Sequence, residues 1–508
     1  MTGIIPSAGA RRAITVSVML AAMMNSLDTT IANVALPHIQ GSVAASADEI
    51  SWVLTSYIVA AAIVTPLTGW LADRLGRKTV LVWSIIGFTA ASGLCGLATN
   101  LQEIVLFRLL QGVFGASLQP MSQATMLDMA PPGEQAQAMG LWSMAALLGP
   151  ILGPTVGGWL TESFTWRWVF FINLPFGIIA ALGVSAFMTS QPQAEPRPFD
   201  LFGFGMLGLA VACLQLLLDR GQTQDWFSST EICIYAGGIL FFGYLFVVHI
   251  LTAERPFLDV ALFENRNYIL GCLIGFLLVI MLFGTLALIP SMLERLMGYP
   301  VVLTGIVTAP RGIGSMITMG TSGYTLKRFD PRLVMTVGFL LAAFSLFQMS
   351  GLSLGMDARL LVISGFLQGM GSGMIFVSLS LLSFGTLSSK LRNQGTAMFT
   401  LVRNVGAAAG ISILQILSVR ASASVHSRLV ENIRPDNPVL GRAVPGFDFH
   451  NPVAVAAMNG QIDRQAAMVS YVDVYWLLFI VTLMGMPLVL LLRAPRTAMT
   501  PDQQIHME

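Results

Sequence analysis

Charged residues are scarce in this sequence: only 10% of its 508 residues are Asp, Glu, Lys or Arg, against about 25% in an average soluble domain. With 55% hydrophobic residues, such a chain reads as a membrane protein before any motif is considered. Cysteine is sparse too. Cys95, Cys213, Cys233 and Cys272 fall in apolar stretches without CxxC spacing, so neither a disulfide framework nor a metal site is indicated, and core filling is the simple role. The sequence has no GxxxxGK[ST] loop, which argues against a nucleotide-driven pump. None of its five histidines, His249 included, has an HExxH partner, which argues against an intramembrane enzyme. A net charge of +1 gives no hint of nucleic-acid binding.

What the sequence has in abundance is long apolar windows. A bilayer core is crossed by about 20 apolar residues, and fourteen such windows are expected at 14–36, 50–72, 79–99, 103–128, 136–160, 167–188, 201–219, 231–250, 268–290, 301–323, 333–352, 358–384, 396–418 and 471–493. The start could be taken for a signal peptide, but no small-x-small cleavage site follows and the apolar run continues to Leu36, so it reads as the first spanning helix. An even number of spans puts both termini on one side. With that side inside, the inner segments hold Arg11, Arg12, Arg74, Arg77, Lys78, Arg197, Arg255, Arg266, Lys327, Arg328, Arg332, Lys390, Arg392, Arg493 and Arg496, while the short outer loops hold only Arg167, Arg220, Arg295 and Arg359. The excess of cationic residues in cytoplasmic loops makes both termini cytoplasmic.

The two halves of the chain resemble each other. "GWLADRLGRK" (69–78) and "GYTLKRFDPR" (323–332) share Gly69/Gly323, Arg74/Arg328 and Lys78/Arg332 at an offset of 254. Leu110-Gln111-Gly112 matches Leu367-Gln368-Gly369 at an offset of 257, where Gly149 and Gly153 also fall on Gly406 and Gly410. Two six-helix units separated by an extra pair give a 6+2+6 plan, the parallel-repeat layout of a transporter with its site between the halves. The expected units are an N-terminal bundle over 1–190, two linker helices over 191–267, and a C-terminal bundle over 268–508 with a long periplasmic loop at about 419–470. The repeat also marks an exception, because Gly365 stands where the first half has Arg108. The shared Leu-Gln-Gly packing therefore does not need the arginine.

"GWLADRLGRKTVL" (69–81), "LFRLLQGVFGAS" (106–117) and "GPILGPTVGGWL" (149–160) resemble motifs A, B and C of the major facilitator superfamily, motif C being the one associated with its antiporters. "LDTTIANVALP", "WRWVFFINLPFG" (166–177) and the fourteen spans narrow the resemblance to the EmrB/QacA type of drug:proton antiporter, and "LLLDRGQTQDWFSS" (216–229) resembles its EmrB side. The resemblance implies an all-α membrane protein with the major facilitator fold. It implies a multi-pass exporter of the bacterial inner membrane that expels amphipathic or lipophilic toxic compounds in exchange for protons. Such a protein needs no cofactor beyond the proton gradient. The implied partners are small-molecule drugs, protons and the lipid bilayer, with a periplasmic adaptor (membrane fusion protein) and an outer-membrane channel; no nucleic acid is expected. A proton-coupled symporter or metabolite exporter on the same fold is the alternative, since function lies in the site rather than the fold.

Each motif has a physical reading. In motif A, Gly69 and Gly76 permit close approach or a tight turn, while Asp73, Arg74, Arg77 and Lys78 can form an inner charge latch; topological anchoring by positive charge is the plainer reading. The second copy has Lys327 in place of Asp73. Motif C places Gly149, Gly153 and Gly157 on nearly one face, with Gly158 beside them and Pro150 and Pro154 each removing a backbone hydrogen bond. A kinked helix with a smooth face is expected, serving either packing or the sealing of the cytoplasmic side.

Asp28 sits in the middle of the first span, where a carboxylate costs roughly 2.5–3.5 kcal/mol on insertion scales. Asp28 and Arg108 differ in depth by only about 4–5 Å at ~1.5 Å per residue, so they can share one polar cavity. The pair reads either as a proton-coupling site or as a structural ion pair. Arg311, Arg403, Asn33, Gln119 and Gln123 are substrate-cavity candidates; helix-to-helix hydrogen bonding explains the amides equally well, and Arg403 can snorkel.

Overall fold

In the computed structural model the described residues are 8–493 apart from 132, 190–198, 255, 389, 435, 438–439 and 441–446. Arg197, Arg255 and Arg496 lie outside them. Most of the described residues are helical, and no strand occurs among them.

The main helices are α1 (Ala8–Val43), α2 (Trp52–Val64), α3 (Leu67–Leu75), α4 (Arg77–Leu97), α5 (Leu101–Gly115), α6 (Leu118–Met129), α7 (Gln135–Ser163), α8 (Asn173–Phe187), α9 (Leu201–Arg220), α10 (Thr230–Thr252), α11 (Arg266–Ser291), α12 (Val301–Gly320), α13 (Ser322–Arg328), α14 (Pro331–Met349), α15 (Ala358–Phe384), α16 (Arg392–Val430) and α17 (Pro452–Leu490). Twelve helices are long and apolar enough to cross a membrane, and the pair α2–α3, bent by 55°, makes thirteen. Helix α12 stands where the tenth span is expected, completing the fourteen. The helix starts are written locally. Asn100, Asn265, Asp330, Asp357 and Asn451 each accept a backbone N–H of the following turn, which satisfies donors that a helix otherwise leaves unpaired.

Helices α1, α4, α5, α7 and α8 pack around one another, α1 lying against both α7 and α8; α11, α14, α15, α16 and α17 do the same in the second half. The pair α9–α10 leans on α2 and α16. Among the described residues of α10 only Ile232 is buried, so this helix presents an apolar surface outward, as a lipid-facing element does.

The stretch 419–470 departs from the long loop expected of it. Helix α16 continues to Val430 and α17 begins at Pro452, each spanning 39 residues. At 1.5 Å per residue that is roughly 58 Å, far beyond a hydrocarbon core of about 30 Å. "RASASVHSRLV" and "VAVAAMNGQIDRQAAMV" are too polar to be read as spanning, yet Ala, Arg, Gln and Met are good helix formers. The two extensions also hold each other: Ser418 and Ser470 hydroxyls lie 3.2 Å apart, and His426 Nε2 is 3.0 Å from Asn459 Oδ1.

Candidate functional site

The first half closes around Asp28. Its Oδ2 accepts from Arg108 Nη1 at 2.6 Å, and its Oδ1 accepts from Gln111 Nε2 at 2.9 Å and Asn173 Nδ2 at 2.8 Å. Asp28 is 1% exposed and Arg108 0%, so the pair is shut off from solvent. Arg108 is positioned in turn by Nε donating to the Val53 carbonyl (3.1 Å) and Nη1 to Gln111 Oε1 (2.8 Å), with Tyr57 and Phe170 rings 4.6 and 5.5 Å from its guanidinium carbon. Asn25 ties Tyr57 to α5 by donating to Tyr57 Oη (2.8 Å) and the Gly115 carbonyl (3.2 Å). Four helices, α1, α2, α5 and α8, thus meet at one carboxylate. A buried charge pair persists only when the remaining lone pairs and protons are also satisfied, and the amides of Gln111 and Asn173 do that for Asp28. Sequence reasoning paired Asp28 with Arg108 but missed these two. Their signal was present in the Leu-Gln-Gly repeat and in "FINLPFG", where an amide interrupts an apolar run.

Motif C sits directly behind this site. Helix α7 runs unbroken through Pro150 and Pro154. Proline 150 has no N–H for the Ala146 carbonyl four residues back, and Ser26 Oγ supplies the missing donor at 2.6 Å; Thr30 Oγ1 donates to the Gly149 carbonyl at 3.0 Å. A Cβ on Gly149 would collide with the Ser26–Leu27 backbone, one on Gly153 with the Thr30 side chain, and one on Gly157 would make ordinary contact with Ile31 at 3.5 Å. Gly158 faces open space. The glycine face therefore seats α7 on the turns of α1 that flank Asp28. In the second half, Gly406 and Gly410 pack likewise on Phe276 and Ile280 of α11.

Motif A joins the two halves. Arg77 donates from Nε and Nη2 to Asn393 Oδ1 (2.9 and 2.6 Å) and from Nη1 to Asp128 Oδ2 (2.7 Å); Asn393 donates to Asp73 Oδ1 (2.7 Å), and Arg392 pairs with Asp128. Arg74 instead lies over the Trp70 ring at 5.0 Å, and Lys78, half-buried, is not part of the network. Gly76 ends α3 at φ +84°, a conformation that favours glycine. A Cβ on Gly69 would lie 2.9 Å from Gln394 Cα, and one on Gly323 2.7 Å from Gln137 Cβ. Gln394 and Gln137 are themselves 257 apart, so each half's motif A glycine packs on the other half's equivalent glutamine. Charge reinforces only the first of these contacts. At the second, Ser322 Oγ donates to the Ala136 carbonyl (3.1 Å).

The remaining candidates scatter. Asn33 is exposed and Gln119 half-buried. Gln123 is fully buried, with both amide atoms unpartnered. Arg403 lies 4.8 Å from the Phe376 ring, which stacks 6.3 Å from Trp142; its Nε and Nη1 are buried without acceptors. Arg311, 9% exposed, donates from Nη2 to Thr285 Oγ1 and Gln368 Oε1. Neither of these arginines joins the Asp28 cluster.

A family model described as Major Facilitator Superfamily matches residues 18–411. The chain is 32% identical over 478 residues to Multidrug export protein EmrB of Escherichia coli (strain K12), covering 93% of each protein. It is 33% identical over 486 residues to Fatty acid resistance protein FarB of Neisseria gonorrhoeae, covering 95% of this chain and 96% of that protein. In fold it is similar to the human organic anion transporter MFSD10, with a TM-score of 0.59 at 15% identity over 93% of this chain and 99% of that one.

Proposed function

This chain belongs to the major facilitator superfamily, and from that premise we propose that it is a proton-coupled multidrug exporter of the bacterial inner membrane, with both termini in the cytoplasm. It is a multi-pass transporter and not an enzyme. The reading of its cargo as amphipathic or lipophilic toxic compounds is supported by similarity to EmrB, a multidrug export protein. No cofactor is needed, because a proton entering down its gradient supplies roughly 2.3 kcal/mol per 100 mV and about 1.4 per pH unit.

The observation that carries the coupling is the enclosure of Asp28. The carboxylate accepts from three donors, one of them the Arg108 guanidinium, so a proton bound there removes the negative charge that holds Arg108 in place. Those donors stand on α5 and α8 while the carboxylate stands on α1, so protonation and the sliding of α1 against its neighbours are one event. A protonated Asp28 releases Arg108 and lets α1 move; deprotonation pulls the helices back together. The motif A network closes the end of the molecule that this reading places in the cytoplasm, so the structure corresponds to the outward-directed half of the cycle. The extended ends of α16 and α17 then reach into the periplasm and offer a surface for an adaptor protein and, through it, an outer-membrane channel.

Asp28→Asn keeps the size and the capacity to insert but cannot titrate. In inside-out vesicles with a pH-sensitive dye, the variant should lose drug-induced proton release and uphill drug accumulation while retaining drug binding. Full pH-driven accumulation by this variant would show that the carboxylate is structural.

A further inference from the structure

The repeat that relates the halves carries the proton site onto a second buried cluster of opposite character. At the offset of 257, Asp28 falls on Thr285 and Gln111 on Gln368; Arg108 falls on Gly365. The second half nevertheless holds a guanidinium there. A Cβ on Gly365 would lie 3.7 Å from Arg311 Cβ, so the arginine enters from α12 rather than α15. Arg311 donates to Thr285 Oγ1 and Gln368 Oε1, the equivalents of the two groups that meet Arg108. Tyr475 of α17 lies close enough to interact with its charge.

The difference is in what is left over. At Asp28 every charge has a counter-charge. At Arg311 both acceptors are neutral, and no ion pair to this arginine occurs among the described residues. Three buried polar atoms there have no partner: Arg311 Nε, Gln368 Nε2 and Tyr475 Oη. Two of them can only donate, and the tyrosine hydroxyl can donate as well. The orientation of Gln368 is fixed, because a guanidinium only donates, so Oε1 faces Arg311 and the N–H groups point elsewhere. An uncompensated buried cation among surplus donors is costly, and a single anionic acceptor group relieves the charge and the unmade hydrogen bonds together. The same half holds a second guanidinium with unpaired donors, Arg403, against the Phe376 ring. Asp28 is the one buried acid among the described residues, and both its oxygens are engaged; Asp219, which accepts from Thr55, lines a separate cavity between α2, α9 and α16.

We propose that the Arg311 cluster is an anion-binding subsite that takes the carboxylate of an amphipathic organic acid, so that the first half handles the proton and the second the charged head of the cargo. This rests on the reading of the chain as an exporter of amphipathic compounds and specifies the class it prefers.

The test is equilibrium binding to the full chain in lipid nanodiscs, with empty nanodiscs subtracted, of three probes of similar shape: 1-naphthoate, 1-naphthylmethylammonium and 1-naphthalenemethanol. No proton gradient is imposed, so the outcome is independent of whether Asp28 couples transport. The wild-type chain should bind naphthoate about 10- to 100-fold tighter than the ammonium. Arg311→Gln should abolish that preference and leave the alcohol within about 3-fold, Arg311→Lys should keep part of it, and Asp28→Asn should keep all of it. If Arg311→Gln does not fold, Tyr475→Phe, which removes one donor and keeps the ring, should weaken naphthoate about 3-fold without affecting the ammonium. Equal or tighter binding of the ammonium by the wild-type chain, full preference in Arg311→Gln, or no effect of Tyr475→Phe overturns the proposal.

Discussion

At the scale of single residues, the molecule shows how a proline in a membrane helix is made tolerable. Pro150 leaves the Ala146 carbonyl without its helical donor, and Ser26 fills the gap from α1. Hydrogen bonds between membrane helices average about 0.6 kcal/mol and reach about 1.7; a bond that rescues an otherwise unpaired backbone carbonyl belongs at the upper end. Ser26→Ala should therefore cost about 1–2 kcal/mol. The same change made in a Pro150→Ala background should cost far less, because residue 150 then donates its own N–H. Thermal unfolding of the four proteins of this cycle in detergent measures the coupling, and equal costs in both backgrounds would exclude the rescue. The serine was not legible beforehand: its spacing to the proline exists only in three dimensions. Asp28 and Arg108 were legible, since a charge inside an apolar run announces itself. Gln111 and Asn173 were not singled out, because an amide in such a run is common enough to pass for packing.

At the scale of helices, the glycines of motif C divide by what they face. Gly149 presses on the Ser26–Leu27 backbone, which has no flexible end to move aside, whereas Gly158 faces open space. Gly149→Ala should push α7 away from α1 beside Asp28, lowering the unfolding temperature and impairing transport by about 10-fold or more. Gly158→Ala should match the wild type in both drug efflux and melting temperature, and parallel losses in the two variants would mean that the face is not a contact surface. The spacing of the glycines was readable as a smooth face, though the kink expected from the prolines is not a break in the helix. Which helix the face receives required the fold. The long extensions of α16 and α17 were hidden for another reason: hydropathy reports where a helix can sit in lipid, not where a helix ends.

At the scale of the whole molecule, two contacts related by the repeat close one end, and they are unequal. Gly69 meets Gln394 and Gly323 meets Gln137, but only the first is reinforced by Asp73, Arg77, Asp128, Arg392 and Asn393. The sequence showed half of this latch, the motif A charges, and also that Lys327 breaks the pattern in the second copy. It could not show that the partners come from Asp128 and from 392–394, because no periodicity links them. The inequality has a mechanical consequence. Small-residue packing at Gly323 resists separation weakly and over a short distance, while the charged side must break several hydrogen bonds to buried groups before the halves part. Opening should thus be limited at Asn393 and Arg77. Asp73→Cys with Asn393→Cys, joined by a short bismaleimide, should hold this end closed and stop drug efflux in vesicles, while each single cysteine variant treated alike should keep most of its activity. Conversely, Asp128→Ala should leave Arg77 and Arg392 without their shared carboxylate. A cysteine placed at Ser322, 4% exposed at the second contact, should then become more reactive to maleimide from that side, by about 5-fold or more if the latch is worth at least 1 kcal/mol. Transport that continues in the crosslinked protein would mean that the halves do not separate at this end, and the alternating movement assigned to them would have to be sought elsewhere in the fold.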